Sequence, residues 1–134
     1  MDAPEEIRRK EDECIRRYHA DMQGIEERQE ETRNAQRALR EIQEQLAYDN
    51  TRTSRDMDAY LGRKHLHPGS LVTTLLDDMA TSRARLEGCC SDGCEELSRR
   101  QKRLAEAYRD RERSHREELR GLSAQPQEPG SGRA

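Results

Sequence analysis

The 134-residue chain contains no Phe and no Trp, and Leu, Ile and Val together supply only 17 of its residues. A globular domain of this length encloses its core with many more large apolar side chains, so an ordinary compact fold is excluded. Nothing apolar runs for the roughly 20 residues that cross a bilayer, and the opening MDAPEEIRRK lacks the apolar core of a signal peptide. Membrane insertion is therefore not expected. Cysteine is sparse too. Cys14, Cys89, Cys90 and Cys94 have no disulfide-scaffold spacing, which points to reduced thiols in an intracellular, cytoplasmic setting. Proline occurs only at positions 4, 68, 126 and 129, and Gly24 is the single glycine before Gly62.

Charge, by contrast, is abundant. Charged residues make up 40% of the chain, yet the net charge is only −3, so opposite signs are interleaved and do not repel as a block. A polar chain of this kind buries a narrow stripe, as long coiled-coil helices do. One heptad register places Ile15, Met22, Gln29, Gln36, Gln43, Asn50 and Met57 at a, and Tyr18, Ile25, Thr32, Leu39, Leu46, Thr53 and Tyr60 at d. Seven uncharged d positions in succession have a chance probability of about 3% at this charge content, so they mark a seam.

The first helix is expected over 5–62, with Asp2 and Glu5 at capping-box spacing and Pro4 in the first turn, where a missing N–H costs little. Gly62 and Pro68 end it, a turn covers 63–69, and Ser70 caps a second helix over 70–121. That helix carries Val72, Leu75, Leu76, Met79, Leu86, Cys90, Cys94, Leu97, Gln101, Leu104, Tyr108, His115 and Leu119. The steps from 86 through 90 and 94 to 97 interrupt the heptad as a stutter does, and Gly88 and Gly93 flank the interruption. The second helix therefore either continues through 88–93 or kinks or breaks there. Residues 124–134 are rich in Pro, Gly and Ser and are expected to be a disordered tail beyond the 1–123 hairpin.

Two long helices joined by a short turn fold back most simply as an antiparallel hairpin, an all-α coiled coil. Charge supports the same pairing. Folding about residue 65 sets residues 1–31, with 11 acids and 6 bases, against a stretch where 99–120 has 9 bases and 5 acids. Arg33, Arg37 and Arg40 then fall opposite Asp92, Glu95 and Glu96, and Cys14 falls near position 117. Exposed pairs are worth at most ~1 kcal/mol each, so their contribution is to orientation and register.

Local motifs give few chemical leads. Cys89, Cys90 and Cys94 offer three thiols within six residues, a candidate soft-metal or redox site with Cys14 or His115 as a remote fourth ligand. Zinc sites pair two ligand sets so that four donors converge, whereas this CC-x3-C stands alone and Cys14 would lie about 40 Å away along the helix. Cys90 and Cys94 are read instead as small core residues facing the Gln36, Leu39 and Gln43 layers, with Cys89 peripheral. His19 and His115 become neighbours in the hairpin register, and His65 and His67 sit in the turn. No nucleophile constellation is present and a hairpin lacks the desolvated pocket that catalysis requires, so no enzyme and no cofactor are expected. The basic stretch 99–120 is interrupted by five acids and faces an acidic helix, which argues against nucleic acid.

Partner recognition is the stronger signal. Leu66, Leu71, Val72, Leu75 and Leu76 are more apolar residues than the end of a two-helix hairpin can cover. The polar a residues Gln29, Gln36, Gln43 and Asn50 weaken an isolated hairpin while specifying register or oligomeric state. The expected function is thus a coiled-coil scaffold or adaptor subunit, a homo- or hetero-oligomer with protein partners. In size, arginine content and hairpin pattern the chain resembles the stalk component of bacterial flagellar and type III export ATPases. It also resembles the small coiled-coil subunits of eukaryotic organelle-biogenesis and trafficking complexes. The first resemblance implies a stalk or chaperone-like role; the cysteine cluster implies, as a rival, a metal or redox sensor.

Overall fold

The computed structural model describes residues 3–64 and 69–124. Helix α1 spans Ala3–Lys64 and helix α2 spans Ser70–Ser123; among the described residues there is no strand, and the two helices pack as an all-α hairpin. None of the described helices is long and apolar enough to cross a membrane. Asp2, the turn residues His65, Leu66, His67 and Pro68, and the tail beyond Ala124 lie outside the described residues.

Helix formation follows from what the sequence omits and from what it repeats. Arg and Glu dominate both segments, joined by Ala and Gln in α1 and by Leu in α2, and these residues lose little rotamer freedom in a helix. Same-face pairs add support one turn apart: Gln23 to Glu27, Gln45 to Asp49, Arg52 with Asp56, and Arg99 with Glu95. Glu5 and Glu6 meet the positive end of α1, and Arg120 meets the negative end of α2.

The helix ends differ slightly from the sequence expectation. α1 passes through Gly62 and runs to Lys64. A glycine needs a following chain reversal to act as a left-handed terminator, and none occurs there. At the start of α2 the Gly69 carbonyl already accepts a 2.9 Å hydrogen bond from the Thr73 N–H. Gly69 is therefore the N-cap and Ser70 the first helical residue, so the cap lies one position earlier than expected. Through Gly88 and Gly93 the helix is unbroken.

The chain divides into two compact units. A terminal unit combines Met1–Glu31 with Arg100–Ala134, and a central unit comprises Thr32–Arg99. In the terminal unit the less exposed residues of α1 include Glu11, Cys14, Tyr18, Met22 and Ile25, with steps of 3, 4, 4 and 3. On α2 they include Tyr108, Arg111, His115, Leu119 and Leu122, with the same steps of 3, 4, 4 and 3. Each helix thus carries a stutter, and the two stutters face each other, since Cys14 and Tyr18 both meet His115. This corrects the sequence register. Ile15, expected at the seam, is 37% exposed, and Cys14 takes its place at 2%. A single heptad extended back from Met22 places a three-residue step before Tyr18 and cannot account for the four-residue step from Cys14 to Tyr18.

In the central unit Thr32 and Cys90 are buried, and Gln36, Leu39, Gln43, Leu46, Asn50, Met57 and Leu61 form a half-buried row on α1. Facing residues of α2 are Val72, Leu76, Met79, Arg83, Gly93, Cys94 and Leu97. Three expected seam residues leave it: Thr53, Tyr60 and Leu86 are exposed. The row ends on Leu61 in place of Tyr60, because an undistorted helix drifts by about 20° per heptad from a 3.5-residue repeat. At Gly93 the helices approach closely, and a Cβ added there would lie 3.0 Å from Leu39 Cδ2.

These two glycines give a matched test. At Gly88 an added Cβ meets nothing within 4 Å, so Gly88→Ala is expected to stabilise the chain by about 0.5–1 kcal/mol through helix propensity. Gly93→Ala receives the same propensity gain but must displace Leu39, and should raise the unfolding midpoint clearly less. Equal gains in urea unfolding would rule out the close approach at Leu39.

Candidate functional site

The candidate partner face lies in the central unit. Leu71 is 81% exposed, Leu75 52% and Leu86 50%, and Ile42, Tyr48 and Tyr60 are exposed as well. At roughly 100° per residue, Leu71, Leu75 and Leu86 fall within an arc of about 60° on α2. Isolated surface leucines are ordinary, but three on one helical face form a stripe beside the seam. Val72 and Leu76, expected on the same surface, are half-buried and pack inward. Of the polar seam residues, Gln36, Gln43 and Asn50 are half-buried in the central unit, and Gln29 is half-buried in the terminal unit. The seam of α2 also contains Arg83, whose Nε is buried without a hydrogen-bond partner.

The 88–94 cysteines are distributed as follows. Cys89 is exposed, Cys90 is buried, and the half-buried Cys94 thiol donates to Gln43 Oε1 at 3.6 Å. Cys94 thus meets the Gln43 layer. The three thiols differ in exposure and so do not share one environment.

A second constellation, in the terminal unit, is built from residues the sequence reading treated separately. The Tyr18 and His115 rings stack at 3.9 Å between centroids and 7° between planes. His19, expected beside His115, is exposed; Tyr18 occupies the position instead. The Cys14 thiol donates to Glu118 Oε2 at 2.9 Å and lies 3.7 Å from His115 Nδ1. Arg111 completes the layer: its Nε donates to Asp21 Oδ2 at 2.8 Å, and its guanidinium carbon stands 5.6 Å from the Tyr18 ring centroid. Arg111 Nη1 approaches Glu118 Oε1 to 3.5 Å, an ion pair without hydrogen-bond alignment. Ser114 Oγ donates to the same Oε1 at 3.5 Å.

Electrostatics follow from this geometry. The hydrogen bond to Glu118, then burial and the carboxylate charge, hold the Cys14 thiol above its ordinary 9.0, with Arg17 and Arg111 pulling the other way. Glu118 is held below its ordinary 4.5, first by the thiol hydrogen bond and then, against burial, by Arg111, Arg17 and His115. Cys14 is therefore a protonated thiol near neutral pH and a poor nucleophile. Partial burial, followed by the charges of Glu26 and Glu112, keeps the nearby Tyr108 phenol above its ordinary 10.0. The signal that could have exposed this cluster was the antiparallel register itself, which set Cys14 beside position 117.

No protein-family model matches the chain, and neither a curated protein nor a solved structure does.

The pH dependence of the layer follows by linkage. Glu118, with its lowered pKa, contributes stability present above 4.5 and lost as pH falls through the depressed value. Cys14, with its raised pKa, contributes stability present below 9.0 and lost as pH rises through the raised value. Glu118→Gln removes the acid-side effect and the carboxylate's share of the alkaline one, leaving what burial of Cys14 contributes. Thermal unfolding should therefore lose pH sensitivity on the acid limb and show less on the alkaline limb than the parent chain. Superimposable profiles for parent and variant would show that the thiol–carboxylate contact does not form.

Proposed function

We propose that this chain is a non-enzymatic coiled-coil scaffold or adaptor subunit that assembles with partner helices through the central unit. The supporting observation is the exposed stripe of Leu71, Leu75 and Leu86. Fully burying one leucine side chain contributes about 1.5–3 kcal/mol, so covering three half- to four-fifths-exposed leucines is a gain of a few kcal/mol. The helices themselves forgo that gain. They leave the stripe outside and place Gln36, Gln43, Asn50 and Arg83 along the seam, a composition that makes pairing specific at a cost in strength.

A third helix laid against the stripe is the simplest occupant. Its apolar residues would recur every three or four positions, the helix-in-groove mode of recognition. Flanking charge supports discrimination among partners, since mixed-sign rims reject wrong pairings more than they add affinity.

A double variant, Leu71→Asp with Leu75→Asp, should keep the helical circular dichroism and lose assembly, because both side chains are already in solvent. Leu76→Asp, which places a charge in the half-buried row, should instead lower helicity. Sedimentation velocity separates self-association from association with other chains. If the double variant retained every protein bound by the parent chain, the stripe would not be the docking face.

A further inference from the structure

We propose that Cys14, His115 and Glu118 form a zinc site that clips α1 to α2 in the terminal unit. This goes beyond the partner-binding reading and does not depend on it. One donor atom from each residue, a thiol sulfur, an imidazole nitrogen and a carboxylate oxygen, lies within 4.8 Å of the other two. The donors come from both helices, so the set exists only when the hairpin is closed.

The distances suit a tetrahedral ion. Zinc bonds of about 2.3 Å to sulfur and about 2.0–2.1 Å to nitrogen give an S···N edge of about 3.6 Å, against 3.7 Å between Cys14 Sγ and His115 Nδ1. The 2.9 Å spacing to Glu118 Oε2 is that of a hydrogen bond and must widen by roughly 0.7 Å when an ion enters. Glu118 can supply that movement, because its side chain is 43% exposed. A thiolate, an imidazole and a carboxylate favour zinc over magnesium or calcium, which take oxygen donors almost exclusively.

The surroundings orient the donors. Stacking on Tyr18 fixes the plane of the His115 ring with Nδ1 toward the thiol. Arg111 and Ser114 engage Glu118 Oε1, which leaves Oε2 facing Cys14. This is the outer-shell support that metal ligands require. An open groove of about 470 Å³, lined by Lys10, Glu13, Arg17, Gly121 and Leu122 beside Cys14 and Glu118, provides entry and room for water as a fourth ligand. Loading replaces the S–H bond with an S–Zn bond and releases that proton to solvent, with no redox change. The resulting thiolate and carboxylate cancel the dication. Arg17 and Arg111 oppose a cation, which sets this site apart from a tight structural zinc centre.

Titration of cobalt(II), as a zinc probe, into the reduced full chain tests the proposal. The expected result is a thiolate-to-cobalt charge-transfer band saturating at one ion per chain and displaced by zinc. Cys14→Ser should abolish the band. Glu118→Gln and His115→Ala should each weaken binding by more than the roughly 10–100-fold typical of an outer-shell change. Combined Cys89→Ser, Cys90→Ala and Cys94→Ser should leave the band in place. Circular dichroism establishes that each variant remains helical, and zinc should raise the unfolding temperature of the parent but not of Cys14→Ser. Absence of the band in the parent chain, or its survival in Cys14→Ser, overturns the proposal.

Discussion

The width of the apolar seam is the constraint from which the rest of this structure follows. Two helices of 62 and 54 residues share 16 large aliphatic side chains, about one for every two turns. A two-helix contact has no interior in the sense of a globular core. The buried apolar residues among those described are Cys14, Met22 and Cys90, and none is a branched aliphatic. Stability must then be distributed: helix propensity and same-face pairs sustain the individual helices, while a thin line of contacts fixes how they pair. Polar and ionic side chains take on work at the seam that leucine performs in stronger coiled coils.

The terminal unit shows how polar residues can do that work. A paired stutter in both helices turns Cys14, Tyr18, Arg111 and His115 into one layer, where ring stacking, a thiol–carboxylate hydrogen bond and an ion pair coexist. Each interaction is directional, and a heptad slip of either helix would leave all of them unmade together. Apolar contacts are more forgiving, since one leucine packs against another almost as well as against its native neighbour. The layer therefore contributes more to register than to total stability. Its geometry also explains the thiol's protonation, because the same carboxylate that accepts the hydrogen bond repels a thiolate.

Most of the fold was legible from the sequence because long stretches without Pro or Gly leave few alternatives to helix. The antiparallel register was legible too. Setting Cys14 near position 117 by folding the chain about residue 65 is consistent with its contacts to His115 and Glu118. What escaped was phase. One heptad carried through 60 residues cannot show where a helix inserts a four-residue step, so Ile15 was placed where Cys14 lies, and Tyr60 where Leu61 lies. The site was missed for a related reason. Cys14 and His115 were each weighed as a remote partner for Cys89, Cys90 and Cys94, and His115 also against His19, but never with each other, although the register had already brought residues 14 and 115 together. Gly69 in place of Ser70 at the cap is a smaller miss, of the kind local sequence cannot resolve when both residues are acceptable N-caps.

The phase drift also bears on the proposed role of the central unit. If the heptad had held, Thr53, Tyr60 and Leu86 would lie in the seam; instead they are exposed, along with Leu71 and Leu75. Apolar side chains that the sequence allots to a two-helix contact are thus turned partly toward a third face. Overtwisting the helices to recover them would strain backbone hydrogen bonds over many turns, whereas a partner helix covers them with no change in either. The same displacement leaves Gln36, Gln43, Asn50 and Arg83 as a larger share of what remains inside. Outside apolar and inside polar is an arrangement that favours assembly, because the added helix gains hydrophobic burial while the seam continues to decide alignment. On the proposed reading, the weakness of the seam is what leaves the leucine stripe free for a partner helix.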